Sequence, residues 1–255
     1  MDAFVAMFYR QLKRFARAKA RVLLTVLMPI IWIAFYGIGW ASTLNFPGIE
    51  MILGTDYLSF MIPGVIAMTI FISSFMSGIS VIWDKQFGFL KEVLVAPTPR
   101  WQSITGRIFG DSVVALLQGI ILTGLGFAVA PNLSVQGLPI VALASFLTAL
   151  GFASLGIAIA SSKAFKSIEA FQGLVNVLMM PLIFASGAFF PLMNVPEWFK
   201  VIAYLDPLTY STDAMRGALV NVYQFDMVRD FLALLAFSAI SLYLAIRTFE
   251  RTTLD

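Results

Sequence analysis

Long stretches without a charged side chain alternate along the sequence with short charged segments. A membrane-spanning helix needs about 20 apolar residues. Stretches free of Asp, Glu, Lys and Arg cover residues 22–49, 57–83, 112–162, 170–196 and 231–246. The third stretch is long enough for two helices, and turn-forming residues at 131–132 and 137–139 divide it. The pattern therefore predicts six spans, near residues 22–42, 58–83, 108–130, 138–161, 168–190 and 228–247.

The predicted spans are helices, because their apolar runs are continuous and lack the two-residue alternation of a barrel strand. We expect an all-α integral membrane protein with six transmembrane helices, forming one transmembrane domain over residues 1–255. The first apolar run follows a basic leader and is longer than the apolar part of a signal peptide. It is therefore expected to remain as span one.

The composition supports a membrane protein. Hydrophobic residues make up 60% of the chain and charged residues 12%, whereas a soluble domain has roughly 25% charged residues. This balance excludes an ordinary soluble enzyme and a disordered chain. The sequence has no Cys and no His, which removes disulfides, thiol nucleophiles and the commonest general base and metal ligand.

The basic residues are distributed unevenly between the two sides of the predicted membrane. Of the 17 Lys and Arg residues, only Lys200, Arg216 and Arg229 fall on one side, and the other fourteen fall on the opposite side. Short loops rich in Lys and Arg stay in the cytoplasm. Both termini and the loop 84–107 are therefore predicted to be cytoplasmic, and the segment 191–226 to be extracellular.

Residues 1–21 form a basic leader with one apolar side. Phe4, Phe8, Leu12 and Phe15 fall on one face of a helix, and most of the basic residues fall on the opposite face. The pattern predicts an amphipathic helix lying flat in the cytoplasmic interface. Two interpretations remain open, a surface anchor or an elbow that also contacts a partner protein.

The loop 84–107 contains a second amphipathic pattern. Phe87, Leu90 and Leu94 recur at helical spacing, and Pro97 ends the pattern. Such a short helix either docks in a groove of another protein or lies on lipid. The spacing alone favours neither alternative.

The extracellular segment is predicted to hold two short helices, over 196–205 and 207–220. Pro196 and Pro207 suit a first helical turn, and Asp206 suits an N-cap. Both helices are apolar, so we expect them to dip into the outer leaflet beside span five. Arg216 is expected near the interface, by snorkelling or by pairing with Asp213.

The chain lacks the chemistry of an autonomous pump. It has no G-x-x-x-x-G-K-[ST] motif to hold ATP phosphates. The deep polar residues Gln118, Gln172 and Asn176 are neutral, and we expect them mainly to join helices by hydrogen bonds. An energised transporter built from this chain therefore needs a separate motor subunit.

Two motifs resemble those of the type-2 ABC transporter permeases, the membrane subunits of ATP-driven exporters. The inner motif comprises Asp84, Gly88, Phe89, Leu90, Lys91, Val93, Leu94, Ala96, Pro97 and Arg100. The outer motif comprises Ser186-Gly187-Ala188-Phe189-Phe190-Pro191, Val195-Pro196-Glu197-Trp198, Asp206-Pro207-Leu208-Thr209-Tyr210 and Arg216. The chain departs from the family pattern at Asp84 in place of Glu, Phe89 in place of Thr, Lys91 in place of Glu and Asp206 in place of Asn.

The resemblance implies a working unit of two permeases and two ABC ATPase subunits. The second permease is another copy of this chain or a related one. ATP and Mg are bound by the ATPase, and this chain is expected to bind no cofactor, metal or nucleic acid and to catalyse no reaction. The implied setting is the prokaryotic plasma membrane, with membrane lipids as neighbours. The implied cargo is an amphipathic small molecule, drug or lipid moved outward; the alternatives are export of a lipid-linked polysaccharide and a non-energised scaffold or channel.

The resemblance also implies three groups of functional residues. Coupling to the ATPase falls to Asp84, Phe87, Gly88, Leu90, Lys91, Glu92, Leu94, Pro97 and Arg100. The substrate pathway is expected to include Trp32, Phe35, Tyr36, Asn176, Met179, Met180 and Phe184. The outer gate is expected to include Phe189, Pro191, Trp198, Asp206, Pro207, Tyr210 and Arg216.

Overall fold

The structure is a computed structural model, and every regular element in the part it describes is helical. It describes residues 2–43, 48–89, 95, 97–130, 132–162, 164–165 and 167–251. The α-helices are α1 Ala3–Arg17, α2 Lys19–Ile31, α3 Ile38–Thr43, α4 Ile49–Leu53, α5 Tyr57–Phe75, α6 Ser77–Gln86, α7 Arg100–Val129, α8 Leu138–Ser161, α9 Ile168–Ala185, α10 Glu197–Leu205, α11 Pro207–Val220 and α12 Met227–Glu250. A π-helix, Trp32–Gly37, joins α2 to α3, and 3₁₀ turns lie at Val135–Gly137 and Leu192–Asn194.

The prediction of six spans is confirmed. The stretches long and apolar enough to cross a membrane are span one Leu23–Thr43, span two Ile49–Gln86, span three Arg100–Val129, span four Val135–Ser161, span five Ile168–Ala185 and span six Met227–Glu250. Span five ends five residues earlier than predicted. The chain turns there because Ser186 is followed by Gly187 at a φ of 68°, a backbone conformation that favours glycine.

Spans two and four form the core of the bundle. The most apolar window of each is 72% buried, against 17% for span one and 22% for spans five and six. Gly78 in span two faces the backbone of Gly156 in span four, where a Cβ atom would not fit. The two backbones therefore approach closely. The apolar surfaces of spans one and five stay largely exposed.

The N-terminal leader is helical as predicted, and its apolar face contacts protein. α1 packs along span three, and the Phe4 and Phe109 rings meet edge to face at 5.8 Å between centroids. Gly106 allows the approach, because a Cβ atom there would collide with the Phe4 backbone. The helix is therefore fixed to the bundle, and its flat position in the membrane interface stays a prediction.

The two short helices of the outer segment are also confirmed, as α10 and α11. Asp206 caps α11 as expected, since the Leu208 N–H donates to its carboxylate at 2.9 Å. The predicted location beside span five holds for α10, which contacts that span, whereas α11 contacts it only slightly. α11 packs against spans two, four and six, and the Thr148 hydroxyl on span four donates to the Ser211 hydroxyl at 2.7 Å. Its many buried small and polar side chains suit a protein interior better than lipid.

The orientation of the bundle predicts a labelling pattern. The chain has no native Cys, so one introduced thiol can be labelled without background. Val95 and Met193 are 76% and 70% exposed and lie on opposite predicted sides. An impermeant thiol reagent added to intact cells should label Met193→Cys and should reach Val95→Cys only after permeabilisation. The opposite pattern would reverse the predicted topology.

Candidate functional site

An aromatic cluster joins span one, span five and the segment after span five. The Phe189 ring is its centre, with centroid distances of 5.7 Å to Trp32, 5.3 Å to Tyr36 and 5.9 Å to Phe184. Trp40 extends the cluster through Tyr36 at 6.0 Å. Three residues predicted for the substrate pathway and one predicted for the outer gate thus come into direct contact.

Span one is distorted where it contributes to this cluster. Pro29 cannot donate a backbone hydrogen bond and so weakens the helix before the cluster. The π-helix Trp32–Gly37 follows at once. It carries Trp32, Phe35 and Tyr36, and π-turns inside helices are frequent at functional sites. The hydrophobic pattern predicts no π-helix at this position, and Pro29 is the residue that could have indicated it.

The remaining predicted pathway residues do not join the cluster within one chain. Phe35 on span one is 80% exposed and Met180 on span five is 61% exposed. Asn176 is exposed and Met179 is half-buried, also on span five. These side chains extend a mostly apolar surface away from the cluster. The surface runs along spans one and five, which are 17% and 22% buried in their most apolar windows.

Arg216 fixes the turn that carries Phe189. Its guanidinium is buried and donates to the carbonyl oxygens of Gly187 at 2.8 Å, Ala188 at 3.4 Å and Phe60 at 3.1 Å. Its Cζ also lies 3.8 Å from the centroid of the Phe60 ring, a cation–π contact. One side chain of α11 thus holds the turn after span five against span two.

Of the two arrangements expected for Arg216, snorkelling is wrong, because the side chain is 4% exposed. Its guanidinium donates to backbone carbonyls. Asp213 accepts the backbone N–H groups of Gln224 and Phe225 at 2.7–3.0 Å and acts on Arg216 through its charge. Burial lowers the pKa of Arg216 to about 10, which still leaves it charged at neutral pH. Burial also raises the pKa of Asp213.

The other predicted gate residues lie around α10 and α11. Trp198 is 66% exposed, and Pro191 and Pro207 are half-buried. The Tyr210 hydroxyl donates to the Tyr204 carbonyl at 2.7 Å and so ties the two helices together. Asp206 is buried, which raises its pKa to about 7.

A largely buried ion-pair triad joins the ends of spans two and three that are predicted to be cytoplasmic. Asp84 Oδ2 accepts from Arg107 at 2.7 Å, and Asp84 Oδ1 accepts from Arg10 of α1 at 3.1 Å. Asp84 is therefore already paired inside the chain. The resemblance assigns Asp84 to ATPase coupling, and that role stays a prediction for a carboxylate that is paired with Arg10 and Arg107. Opposite charges at the cytoplasmic edges of the spans were the available sequence signal for this triad.

The rest of the predicted coupling group is partly described. Phe87 is 75% exposed, and Gly88 adopts a φ of 82°. Pro97 is exposed, and Arg100 donates to the Glu250 carbonyl at 3.1 Å. The predicted residues outside the described part of the chain are Leu90, Lys91, Glu92 and Leu94. The Arg10 guanidinium lies 4.0 Å from the Phe89 ring centroid and so connects the start of the loop to the triad.

Within the described residues, no group of three or more carboxylate, His or Cys side chains is placed to hold a metal ion. The described residues provide an aromatic surface on a distorted helix, a turn held beside it by Arg216, and an ion-pair triad at the end of span two. These are binding and mechanical features.

Comparison with known proteins gives one consistent result. Residues 2–220 match the family model described as ABC-2 type transporter. A putative transport permease, ycf38, of Cyanophora paradoxa is 32% identical over 196 residues, which cover 75% of this chain and 65% of that protein. The inner membrane transport permease YadH of Escherichia coli K12 is 25% identical over 92% of this chain and 90% of its own length. The probable multidrug ABC transporter permease YbhR of the same strain is 28% identical over 68% of this chain and 47% of its own length.

Proposed function

The chain belongs to the ABC-2 type transporter family, and on that premise we propose that it exports amphipathic small molecules, drugs or lipids together with a separate ATPase. As a member of this family the chain is a membrane transport subunit of an ABC transporter, and it is not the ATPase itself. The identity of the cargo, the outward direction and the composition of the complex are parts of the proposal.

The observation that carries the proposal is the aromatic cluster around Phe189. Aromatic surfaces bind apolar molecules of varied shape because they offer large contact areas with few directional constraints. Trp32, Tyr36 and Phe184 supply this surface without a charged side chain among them. Such a lining suits an apolar or amphipathic cargo better than an ion or a nucleotide.

A second permease copy would cover the exposed faces of spans one and five. Phe35, Val177 and Met180 are 80%, 70% and 61% exposed, and together they continue the apolar surface that begins at the cluster. We propose that two copies of the chain bring these faces together, with the cargo pathway between them. A homodimer of this kind gives two equivalent positions for ATPase subunits.

The cytoplasmic loop is the proposed docking site for the ATPase. Phe87 and Val95 flank the undescribed part of the loop, and both are about three-quarters exposed, at 75% and 76%. Asp84, Arg10 and Arg107 connect the start of the loop to α1 and to span three. A movement of the loop would therefore be transmitted to α1 and to spans two and three. ATP and Mg would be bound entirely by the partner. The name of the inner membrane relative supports a prokaryotic plasma membrane as the location.

Transport in inside-out vesicles tests the cargo proposal. Vesicles containing the chain and its ATPase should accumulate an uncharged amphipathic fluorescent dye when ATP is added. Phe189→Ala removes a ring that contacts three others, each contact worth about 0.5–1.5 kcal/mol, and should reduce accumulation severalfold. Tyr243→Ala, an exposed aromatic on span six, is the matched control and should leave accumulation unchanged.

The same assay separates the alternatives. ATP-dependent uptake of a lipid-linked oligosaccharide without dye uptake would favour polysaccharide export and would contradict the proposed cargo. A chain that forms no complex with any P-loop ATPase would point to a scaffold or a channel and would contradict energised transport.

A further inference from the structure

A pair of buried carboxyl groups lies where α11 meets the start of span six. Asp213 on α11 is 3% exposed and Asp230 on span six is 0% exposed. The two helices are in contact, and the two carboxyl groups are within hydrogen-bonding distance of each other. Two acidic side chains thus meet in a buried site at the predicted outer end of span six.

The two carboxyl groups differ in their hydrogen bonds. The Asp213 oxygens accept the backbone N–H of Gln224 at 2.8 Å and that of Phe225 at 2.7 Å. Both oxygens of Asp230 are buried, and no N–H group among the described residues donates to either. A buried carboxylate without a donor is strongly unfavourable. A neutral Asp230 that donates its hydrogen to the Asp213 carboxylate satisfies both groups.

The charges beside the pair do not replace this hydrogen. Arg216 acts on Asp213 through its charge, but its guanidinium donates to backbone carbonyls. Asp226 and Arg229, at the start of span six, act on Asp230 with opposite signs. Both of these neighbours are exposed, and charges in contact with solvent are screened. Two like charges in contact at a buried site cannot both stay ionised at low cost.

The other elements packed against α11 and span six place their charged groups elsewhere. Span four contacts both helices and has no ionisable side chain, and the charged pair of α10 is on the surface. Span three has its charges within residues 100–111, and Arg100 contacts the far end of span six, at Glu250. At the outer end of span two, the Asp56 carboxylate accepts two hydrogen bonds of its own. Asp206 lies about two helical turns away on α11.

Phe225 connects the pair to the predicted outer gate. Its backbone N–H donates to Asp213. Its ring lies 5.5 Å from the Tyr210 ring and 5.4 Å from the Tyr204 ring, measured between centroids. Tyr210 is one of the predicted gate residues and lies on α11, while Tyr204 lies on α10. A change at the carboxyl pair therefore reaches both outer helices through one aromatic side chain.

We propose that Asp213 and Asp230 share one proton, which holds α11 against span six on the side predicted to be extracellular. A proton needs no cavity, so the complete burial of both Asp230 oxygens fits this occupant. When the pair loses the proton, two negative charges face each other and the contact becomes repulsive. The contact therefore weakens as the external pH rises. It needs neither cargo nor the ATPase, so this proposal stands or fails separately from the proposed transport activity.

Thermal unfolding at pH 5 and pH 8 tests the shared proton. The sequence has no His. The full chain carries Asp206→Asn as a background, because burial raises the pKa of Asp206 to about 7 and Asn also caps a helix. An unfolded Asp loses its proton near about pH 4, whereas the folded pair keeps one, so the stability of the fold falls as the pH rises from 5 to 8. The background chain should melt at least about 5 °C lower at pH 8 than at pH 5.

Two variants in this background assign the effect to the pair. Asp230→Asn should remove most of the difference between the two pH values, because the amide is neutral at both and still donates to Asp213. Asp226→Asn is the matched control, since that carboxyl group is exposed one helical turn before Asp230, and it should keep the difference. A pH difference that Asp230→Asn leaves unchanged would overturn the proposal.

Infrared spectroscopy gives a second test that needs no change at the pair. A protonated carboxyl group has its own C=O stretching band, and solvent-exposed Asp and Glu are ionised at pH 6. The background chain should show this band at pH 6, and Asp230→Asn should reduce it. A background chain without any protonated carboxyl band at pH 6 would contradict the shared proton, whether or not the variants fold.

Discussion

Asp84→Asn is expected to reduce the free energy of unfolding by about 3–5 kcal/mol. The substitution keeps the size of the side chain and removes the negative charge between Arg107 and Arg10. The Arg107 side chain is 3% exposed, so it would remain as a buried and uncompensated cation. Reversible unfolding of the purified chain in mixed micelles, followed by circular dichroism, measures the loss.

A second substitution should restore part of the stability that Asp84→Asn loses. Adding Arg107→Met to Asp84→Asn removes the stranded cation, so the double variant should be more stable than Asp84→Asn alone. Glu197→Gln is the control, because its ion pair with Lys200 is on the surface, with the Glu197 side chain 87% exposed. That change should cost at most about 1 kcal/mol. Equal effects of Asp84→Asn and Glu197→Gln would show that the triad is solvated.

Arg216→Met is expected to destabilise the protein by about 3 kcal/mol or more. The replacement keeps an unbranched side chain against Phe60 but leaves the carbonyls of Gly187, Ala188 and Phe60 without this donor. Each lost hydrogen bond to a charged group is worth roughly 1.5–3 kcal/mol, and the longest of the three is weak. Because Phe189 follows this turn directly, transport should fall as well.

Two further variants test whether the loss of stability is due to the hydrogen bonds of Arg216. Arg229→Met removes an exposed cation that lies 4.6 Å from the Phe225 ring centroid, and should cost less than about 1 kcal/mol. Arg216→Lys keeps the charge but not the forked donor geometry, and should give an intermediate stability. A loss no larger for Arg216→Met than for Arg229→Met would mean that the turn does not depend on these bonds.

The spans were predictable because a bilayer imposes one strong requirement on the sequence. A helix that crosses the bilayer needs roughly 20 consecutive apolar residues. The five long uncharged stretches of the sequence therefore indicate the spans directly. The positions of α10 and α11 followed from local signals too, since Asp206 and the neighbouring prolines act within one helical turn. Local chemistry of this kind does not depend on the rest of the fold.

Long-range partners could not be predicted in the same way. Asp84 is 23 residues from Arg107 and 74 residues from Arg10 in the sequence. No local pattern indicates which of the available cations will pair with it. Arg216 illustrates the same limit, because its acceptors are backbone carbonyls, which every residue has. The location of α11 depended on which apolar surface the bundle left open, a property of the packing as a whole.

In the proposed mechanism, ATP hydrolysis by a partner moves this chain through its loop 84–107. Leu90 lies in that loop at helical spacing from Phe87, and burying a large apolar side chain is worth about 1.5–3 kcal/mol. Leu90→Asp should therefore weaken ATPase docking at least about tenfold, while the six spans still insert. Thr98→Asp, which introduces the same charge in the same loop outside the predicted coupling group, is the control.

The most direct measurement is cargo-stimulated ATP hydrolysis by the purified complex of chain and ATPase, with ATPase retention determined in the same sample. Leu90→Asp is expected to lose both the bound ATPase and the stimulation, whereas Thr98→Asp is expected to keep most of both. A Leu90→Asp complex that retains its ATPase and its full stimulation would contradict coupling through this loop.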